Sequence, residues 1–239
     1  MKVAITFIGT NRYLDYLPKY YENIEKYFLP NTEKVILAFT DGELNDTPDN
    51  LKVYHQEHLE WPYITLKRFE IINKARDVID ECDWLVFIDA DAIPVTTITE
   101  EEFLKDKPLF GVHHPCHYLG MDPHTKAPGA YEQNPKCEAY VDVSKSLPPV
   151  YWQGCLWGGK VPHVCAMIDE LEARVNRDLE NDIVAVWHDE TQINRYFLER
   201  TNDVHTFDSS YAFPEVFESH CNFSPKIVHL AKDNSKYHQ

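Results

Sequence analysis

The sequence is short of positive charge, of long apolar runs and of glycine, and each shortage narrows what the chain can be. Against 39 Asp and Glu stand 23 Lys and Arg, a formal net charge of −16. A surface of that sign repels phosphate backbones and anionic lipid, which disfavours nucleic-acid coating and membrane-surface binding. An anionic ligand must therefore be held by a local cation, a metal ion or backbone N–H groups. No stretch approaches the roughly 18 consecutive apolar residues of a membrane helix, and Met1–Ile8 is too short an apolar run for a secretory signal. With 8 glycines and no Gly/Ser linker, low-complexity tract or internal repeat, the 239 residues read as one continuous domain. The six cysteines (Cys82, Cys116, Cys137, Cys155, Cys165, Cys221) follow no framework spacing and read as free thiols. A cytoplasmic location is the expectation.

What is present is globular, with 44% hydrophobic and 13% aromatic residues, enough for a substantial core. Val3–Ile8 is a short apolar run closed by Gly9-Thr10-Asn11, a buried strand and its loop. Tyr16–Phe28 carries a helical stripe, Lys34–Phe39 is a second strand, and Thr65–Val78 repeats the helical pattern. Trp84–Ile88 is apolar at every position, as a central parallel strand would be. This alternation predicts an α/β doubly wound sheet in the N-terminal half. Prolines then crowd the segment from Pro94 to Pro149, where irregular, functional loops are expected. Val150–Trp157 reads as a strand ended by Gly158-Gly159, Pro162–Asp178 as the clearest helix, and Glu190–Leu198 as a shorter one.

Four constellations could carry chemistry. Asp89-Ala90-Asp91 follows the strand Trp84–Ile88, where open α/β sheets bind ligands. Two hard carboxylates there suit Mn²⁺ or Mg²⁺ bridging a diphosphate, although a solvated acidic turn has the same sequence. Trp187-His188-Asp189-Glu190 precedes a helix; its acids are ordinary helix-start residues, or a sugar site in which one carboxylate stabilises or attacks an oxocarbenium ion. Lys67-Arg68 and the tail lysines Lys232 and Lys236 are solubilising surface charges, or cations that close over a diphosphate. His113-His114-Pro115-Cys116-His117, with His124 and Cys137, lacks clean zinc spacing and reads better as a polar substrate loop.

Several segments together resemble the family 6 glycosyltransferases, the family of the histo-blood-group A and B transferases. They are Arg12-Tyr13, Glu60-Trp61-Pro62 through Lys67-Arg68-Phe69, Asp89-Ala90-Asp91, Tyr131-Glu132, and the run from Val150 to Gly159. The most specific is Trp187-His188-Asp189-Glu190-Thr191-Gln192-Ile193-Asn194-Arg195-Tyr196-Phe197, similar to the family's W-H-D-E-S-x-x-N-K-Y-F signature.

The resemblance implies a GT-A fold, with a nucleotide-sugar half over about residues 1–95 and an acceptor and catalytic half over about 96–239 that ends in a C-terminal lid. It implies transfer of galactose from a UDP-sugar to the 3-hydroxyl of a galactoside with retention of configuration, with N-acetylgalactosamine or glucose as other donors. Carried over by position, Ile8, Thr10, Tyr13, Trp61 and Ile64 would surround the nucleotide. Arg68 would face the donor, and Asp89 and Asp91 would bind Mn²⁺, with Mg²⁺ as the alternative ion. Gln153, Gly154 and Cys155 occupy the sugar-tuning tripeptide; Cys155 is bulkier than glycine and disfavours an acetamido group, hence galactose. Glu190 would sit beside the anomeric carbon and Asp189 on the donor hydroxyls. His114, Trp187 and His188 would hold the acceptor, and Lys232 and Lys236 the departing diphosphate. Short microbial members often carry Asn at both motif positions and need no metal, whereas the retained aspartates here imply metal dependence. A nucleotide-sugar hydrolase and a non-catalytic carbohydrate-binding module are the competing readings.

Overall fold

The computed structural model describes residues 1–119, 130–144 and 148–233, with the side chains of Tyr118 and Leu119 left out. Strands β1 (Lys2–Ile8), β2 (Glu33–Thr40), β3 (Leu51–His55) and β4 (Trp84–Ile88) run parallel in the order β3-β2-β1-β4. Period-two alternation, with both faces covered, explains why β4 is apolar throughout and β1 and β2 are so through most of their length. Val3, Ile5, Phe7, Val86 and Ile88 face helix α1 (Leu17–Tyr27), whereas Ala4, Leu37, Phe39, Leu85 and Phe87 face the other layer. Each fully buried side chain of this size contributes about 1.5–3 kcal/mol, so both faces must be covered.

The α/β expectation is met, but the sheet is not parallel throughout. It continues past β4 into β7 (Trp152–Lys160), β6 (Leu109–His113) and β8 (Val204–Phe207), seven strands in all, and β7 runs antiparallel to both β4 and β6. Trp84–Ile88 therefore has one parallel and one antiparallel neighbour. β7 also runs through Gly158-Gly159 instead of stopping there. A Cβ on Gly158 would lie 2.2 Å from the Leu85 carbonyl oxygen, so the glycine permits close strand approach rather than a turn.

The helix expected over Thr65–Val78 is three short ones, α2 (Tyr63–Leu66), α3 (Arg68–Asn73) and α4 (Arg76–Ile79). Leu66, Phe69, Ile72 and Ala75 are all buried at spacings of three. In a helix of 3.6 residues per turn each such step drifts about 60° around the axis. Breaks at Lys67 and Ala75 reset that drift and keep all four on the core. Short helices α5 (Glu100–Phe103) and α6 (Pro115–Leu119) flank β6 inside the proline-rich stretch. Helix α7 (Val161–Glu180) covers the second face through Val164, Met167, Ile168, Leu171 and Val175, and α8 (His188–Glu199) packs beside it through Ile193, Tyr196 and Phe197.

A second sheet of three strands joins β5 (Ala92–Pro94), β10 (Ile227–His229) and β9 (Phe213–Pro214). Its register places His229 opposite Ala92, and the Leu230 N–H donates to the Asp91 carbonyl at 2.9 Å. The C-terminal chain is thus stitched to the acidic motif by backbone pairing. Among the described residues no helix is long and apolar enough to cross a membrane, and none of the six cysteines forms a disulfide.

Candidate active site

Asp89 takes the first position after β4, and its N–H donates to the Cys155 carbonyl of the antiparallel neighbour at 2.9 Å. The β6–β7 register jumps from Gly111–Trp157 to Val112–Gln153, a bulge that leaves Gly154, Cys155 and Leu156 without partners on β6 and sets Gly154 and Cys155 beside Asp89. The acidic motif and the tripeptide therefore meet because β7 is antiparallel.

The third piece is the start of α8. His188 has φ of 54°, a left-handed conformation that costs a non-glycine residue about 1–2 kcal/mol. It is held by the Trp187 N–H donating to the Thr191 hydroxyl at 2.8 Å and by its own N–H on the Ala185 carbonyl at 3.0 Å. Asn194 clamps the helix to the sheet, accepting from the Trp152 N–H at 2.9 Å and donating to the Trp152 and Glu190 carbonyls at 2.7 and 2.9 Å. With α8 fixed, Glu190 accepts from the Tyr151 hydroxyl on one oxygen and from the Gly154 N–H on the other, both at 2.8 Å.

Arg68 bridges these pieces. Its guanidinium lies 2.9 Å from Asp189 and 3.4 Å from Asp89, donates to the Gly154 carbonyl at 3.0 Å, and stands over the Phe87 ring. Burial pushes Asp189 up to about 7, against the lowering by Arg68. Glu190 also rises to about 7, because burial outweighs its two hydrogen bonds. Asp91 moves the other way. Its burial is overridden by His229, 3.2 Å from Oδ1, and by the Lys232 ammonium on Oδ2, so its carboxyl stays well below the usual range.

A cleft gathers Ile8, Thr10, Tyr13, Trp61, Ile64, Arg68, Asp89, Asp91 and Lys232. It shares Thr65, Arg68 and Asp89 with a hollow lined by Gln153, Gly154, Cys155, Trp187, His188, Asp189, Glu190 and His229. His114 lines neither; its N–H donates to the Tyr151 carbonyl at 2.8 Å, and the two rings lie 5.8 Å apart. Lys236 and His124 lie outside the described residues. Cys137 donates to buried Asp178 at 3.2 Å, away from the histidine cluster.

Sequence reasoning missed His58, Tyr151, Asn194 and His229. His58 lines the cleft and lies 2.9 Å from the Thr10 hydroxyl. Tyr151 and Asn194 lie inside the motif segments, so only their roles were hidden. His58 and His229 had no motif to mark them.

One oxygen or ring nitrogen each from Asp89, Asp91 and His229 lie within 4.8 Å of one another. Two hard oxygen donors and an imidazole, with Asp91 kept ionised, fit a divalent cation such as Mn²⁺.

A family model described as Glycosyltransferase family 6 matches residues 1–223. The chain is 27% identical to the O-antigen biosynthesis glycosyltransferase WbnI of Escherichia coli, over all of this chain and 98% of that protein. It is 26% identical to histo-blood group ABO system transferase 2 of Rattus norvegicus, covering 82% of this chain and 59% of that one. With globoside alpha-1,3-N-acetylgalactosaminyltransferase 1 of Mus musculus the identity is 25%, over 83% of this chain and 57% of that one. The chain thus spans nearly all of the bacterial relative and a little over half of the mammalian ones. The mixed seven-stranded sheet is of the GT-A type.

Proposed function

We propose, from the premise that this chain belongs to glycosyltransferase family 6, that it moves galactose from a UDP-sugar to the 3-hydroxyl of a galactoside with retention of configuration. One observation carries the reading. Glu190, oriented through both its oxygens, shares a continuous cleft with the acidic pair Asp89 and Asp91. In that cleft, residues before about position 95 hold the nucleotide and later residues hold the acceptor and the catalytic acid.

Bond cleavage between the sugar's anomeric carbon and the diphosphate puts positive charge on the ring and negative charge on the leaving oxygen. Glu190, once ionised, stabilises the first charge. This holds whether it attacks the carbon itself or flanks an ion that the acceptor traps on the same face. Its link to Tyr151 and Gly154 fixes it before the charge develops, so little reorganisation is needed. Asp89 and Asp91 would hold the divalent cation, which when bound supplies Lewis acidity to the diphosphate. Lys232 lies over the Tyr13 ring, 4.8 Å from its centroid, and can exchange Asp91 for the diphosphate as leaving charge appears. Arg68 keeps Asp189 turned toward the donor hydroxyls. Exposed Trp187, on the rim, offers its face to the acceptor sugar, while exposed Trp61 lines the nucleotide side of the cleft.

The relatives' names carry both O-antigen glycosyl transfer and alpha-1,3-N-acetylgalactosaminyl transfer. Cys155, bulkier than glycine at the floor of the hollow, favours galactose over the acetamido sugar. Release of UDP from UDP-galactose, UDP-N-acetylgalactosamine and UDP-glucose, with Mn²⁺ and without acceptor, tests the reading. UDP-galactose is expected to be hydrolysed fastest. Release from none of the three, with or without a galactoside, would overturn the transferase assignment.

A further inference from the structure

We infer that Glu132 is a positioning residue for the reaction. From outside the cleft it fixes the main chain entering α8, while Tyr131 beside it supports the side chain that orients Glu190. The inference rests on the role proposed for Glu190 and deepens it.

The chain enters α8 along residues 183–187, bounded by the left-handed residues Asp182 (φ 57°) and His188 (φ 54°). Apolar packing holds only part of this stretch: Ile183 and Ala185 pack on Cys137 and Ala139, but Val184, Val186 and Trp187 are exposed. Position 186 is held by a polar contact, its N–H donating to Glu132 Oε2 at 3.0 Å. Glu132 is buried, and its Oε1 accepts from the Asn134 N–H at 2.8 Å, so one carboxylate joins its own turn to the approach to α8. A carboxylate makes such bonds roughly twice as strong as a neutral acceptor does.

The segment that carries Glu132 is itself tied down at three points. The Glu132 carbonyl accepts from the Val141 N–H at 3.1 Å, the Tyr140 carbonyl from Arg195 of α8 at 2.7 Å, and buried Asp178 of α7 from the Glu138 N–H at 2.9 Å. A shift at Val186 would pass to Glu190 through the next residue, because the Trp187 carbonyl accepts from the Glu190 N–H at 3.1 Å. Tyr131 serves the other end of Glu190. Its ring meets that of Tyr151 edge to face at 5.4 Å, its hydroxyl donates to the Val150 carbonyl at 3.3 Å, and Tyr151 is the donor to Glu190 Oε1. Two consecutive residues therefore hold one glutamate by its main chain and by its carboxylate. No residue of 130–141 lines the nucleotide cleft, so the consequence should fall on the rate and not on nucleotide binding.

The rate of UDP release from UDP-galactose with Mn²⁺, beside calorimetric titration with UDP, tests this on the full chain. Glu132→Ala should lower kcat about tenfold or more, with UDP affinity within about twofold of the parent. Glu132→Gln, which keeps the length and one accepting oxygen, should recover part of the rate; a loss as deep as that of Glu132→Ala would overturn the role of the accepting oxygens. Glu138→Gln, on the exposed side of the same segment, should match the parent in both measurements. Unchanged kcat in Glu132→Ala beside a slow Glu190→Gln would overturn the inference alone, whereas normal rates in both variants would overturn the role of Glu190 as well. A fall in kcat matched by an equal loss of UDP binding would mean lost folding instead of a misplaced Glu190, and would overturn it too. Should Glu132→Ala not fold, Glu132→Asp, which draws the carboxylate back by one carbon, should show the same split with a smaller loss, and an unchanged rate there would overturn the inference.

Discussion

Two arginine clusters sit on α8 and its neighbours and differ in burial and in the balance of charge. On the outer face of α7 and α8, Arg174 and Arg200 meet Glu170 and Glu199, with Arg200 lying over the Tyr196 ring. Cations there match anions, and Glu199 is held below its ordinary range despite its burial. At the N-terminal end of the same helix, Arg68 alone faces Asp89, Asp189 and the nearby Glu190, and its Nε is buried without a partner. Burial, which this single cation does not offset, raises Asp189 and Glu190 to about 7. A balanced cluster stabilises the fold, whereas an unbalanced, buried one stores a demand for positive charge that an oxocarbenium ion or a cation can meet.

The largest effect should come from Glu190→Gln. Turnover should fall by about a thousandfold or more with a small change in donor KM, since the lost interaction belongs to the transition state. A near-normal rate would reduce Glu190 to a helix-start residue. The same variant has a pH signature. A carboxyl whose pKa is higher folded than unfolded contributes stability that is full near about pH 4 and is lost as the pH rises through about 7. Glu190→Gln should therefore melt above the parent at alkaline pH and level with it in acid. Glutamine suits the site, accepting from Gly154 and donating to Tyr151, so a lower Tm at alkaline pH would count against the stored demand.

The unbalanced cluster was readable in sequence where it consists of motif residues. Asp89, Asp91, Arg68, Asp189 and Glu190 could be named because segments of distinctive order surround them, and β1, β2, β4, α1 and α7 because their apolar periodicity is strong. What stayed hidden depends on non-local pairing. Antiparallel β7 follows from a register that no local pattern records, and the short edge strand β3 carries too few apolar residues to announce itself. The drift of three-residue spacing that breaks Thr65–Val78 was present in Leu66, Phe69, Ile72 and Ala75, but it resembles an ordinary amphipathic stripe when only membership is counted. His229 became visible only through strand pairing to β5.

Arg68→Met should be next in size. It leaves Asp189 and Asp89 without their cation, and breaking a buried pair in this way costs about 3–5 kcal/mol. The orphaned carboxyls escape part of that cost by taking up protons. The gap between variant and parent should accordingly narrow as pH falls from neutrality toward about pH 4, in urea titrations at several pH values. A gap that widens in acid would mean that Arg68 acts mainly by packing on Phe87.

Gly154→Ala should act on geometry more than on charge. A Cβ there would lie 3.3 Å from Glu190 Cβ and 3.4 Å from Asp189 Oδ2. Those neighbours cannot easily yield, because Asn194 ties α8 to Trp152. A displacement of a few tenths of an ångström at Glu190 should lower kcat about tenfold, while the melting temperature stays nearly level. An unchanged kcat would show that α8 shifts freely.

The smallest effect belongs to the balanced cluster. Arg200→Ala removes one of the cations around Glu170 and Glu199 on a partly solvated face, where such pairs contribute about 0–1 kcal/mol. Arg174 and Arg195 remain on the same glutamates, so neither acid is stranded. Stability should fall by no more than about 1 kcal/mol in urea, with part of that from the lost Tyr196 face. Donor KM and kcat should match the parent. A loss of turnover as large as that of Gly154→Ala would mean that α8 transmits strain from its outer face to Glu190, and that the two clusters are one device.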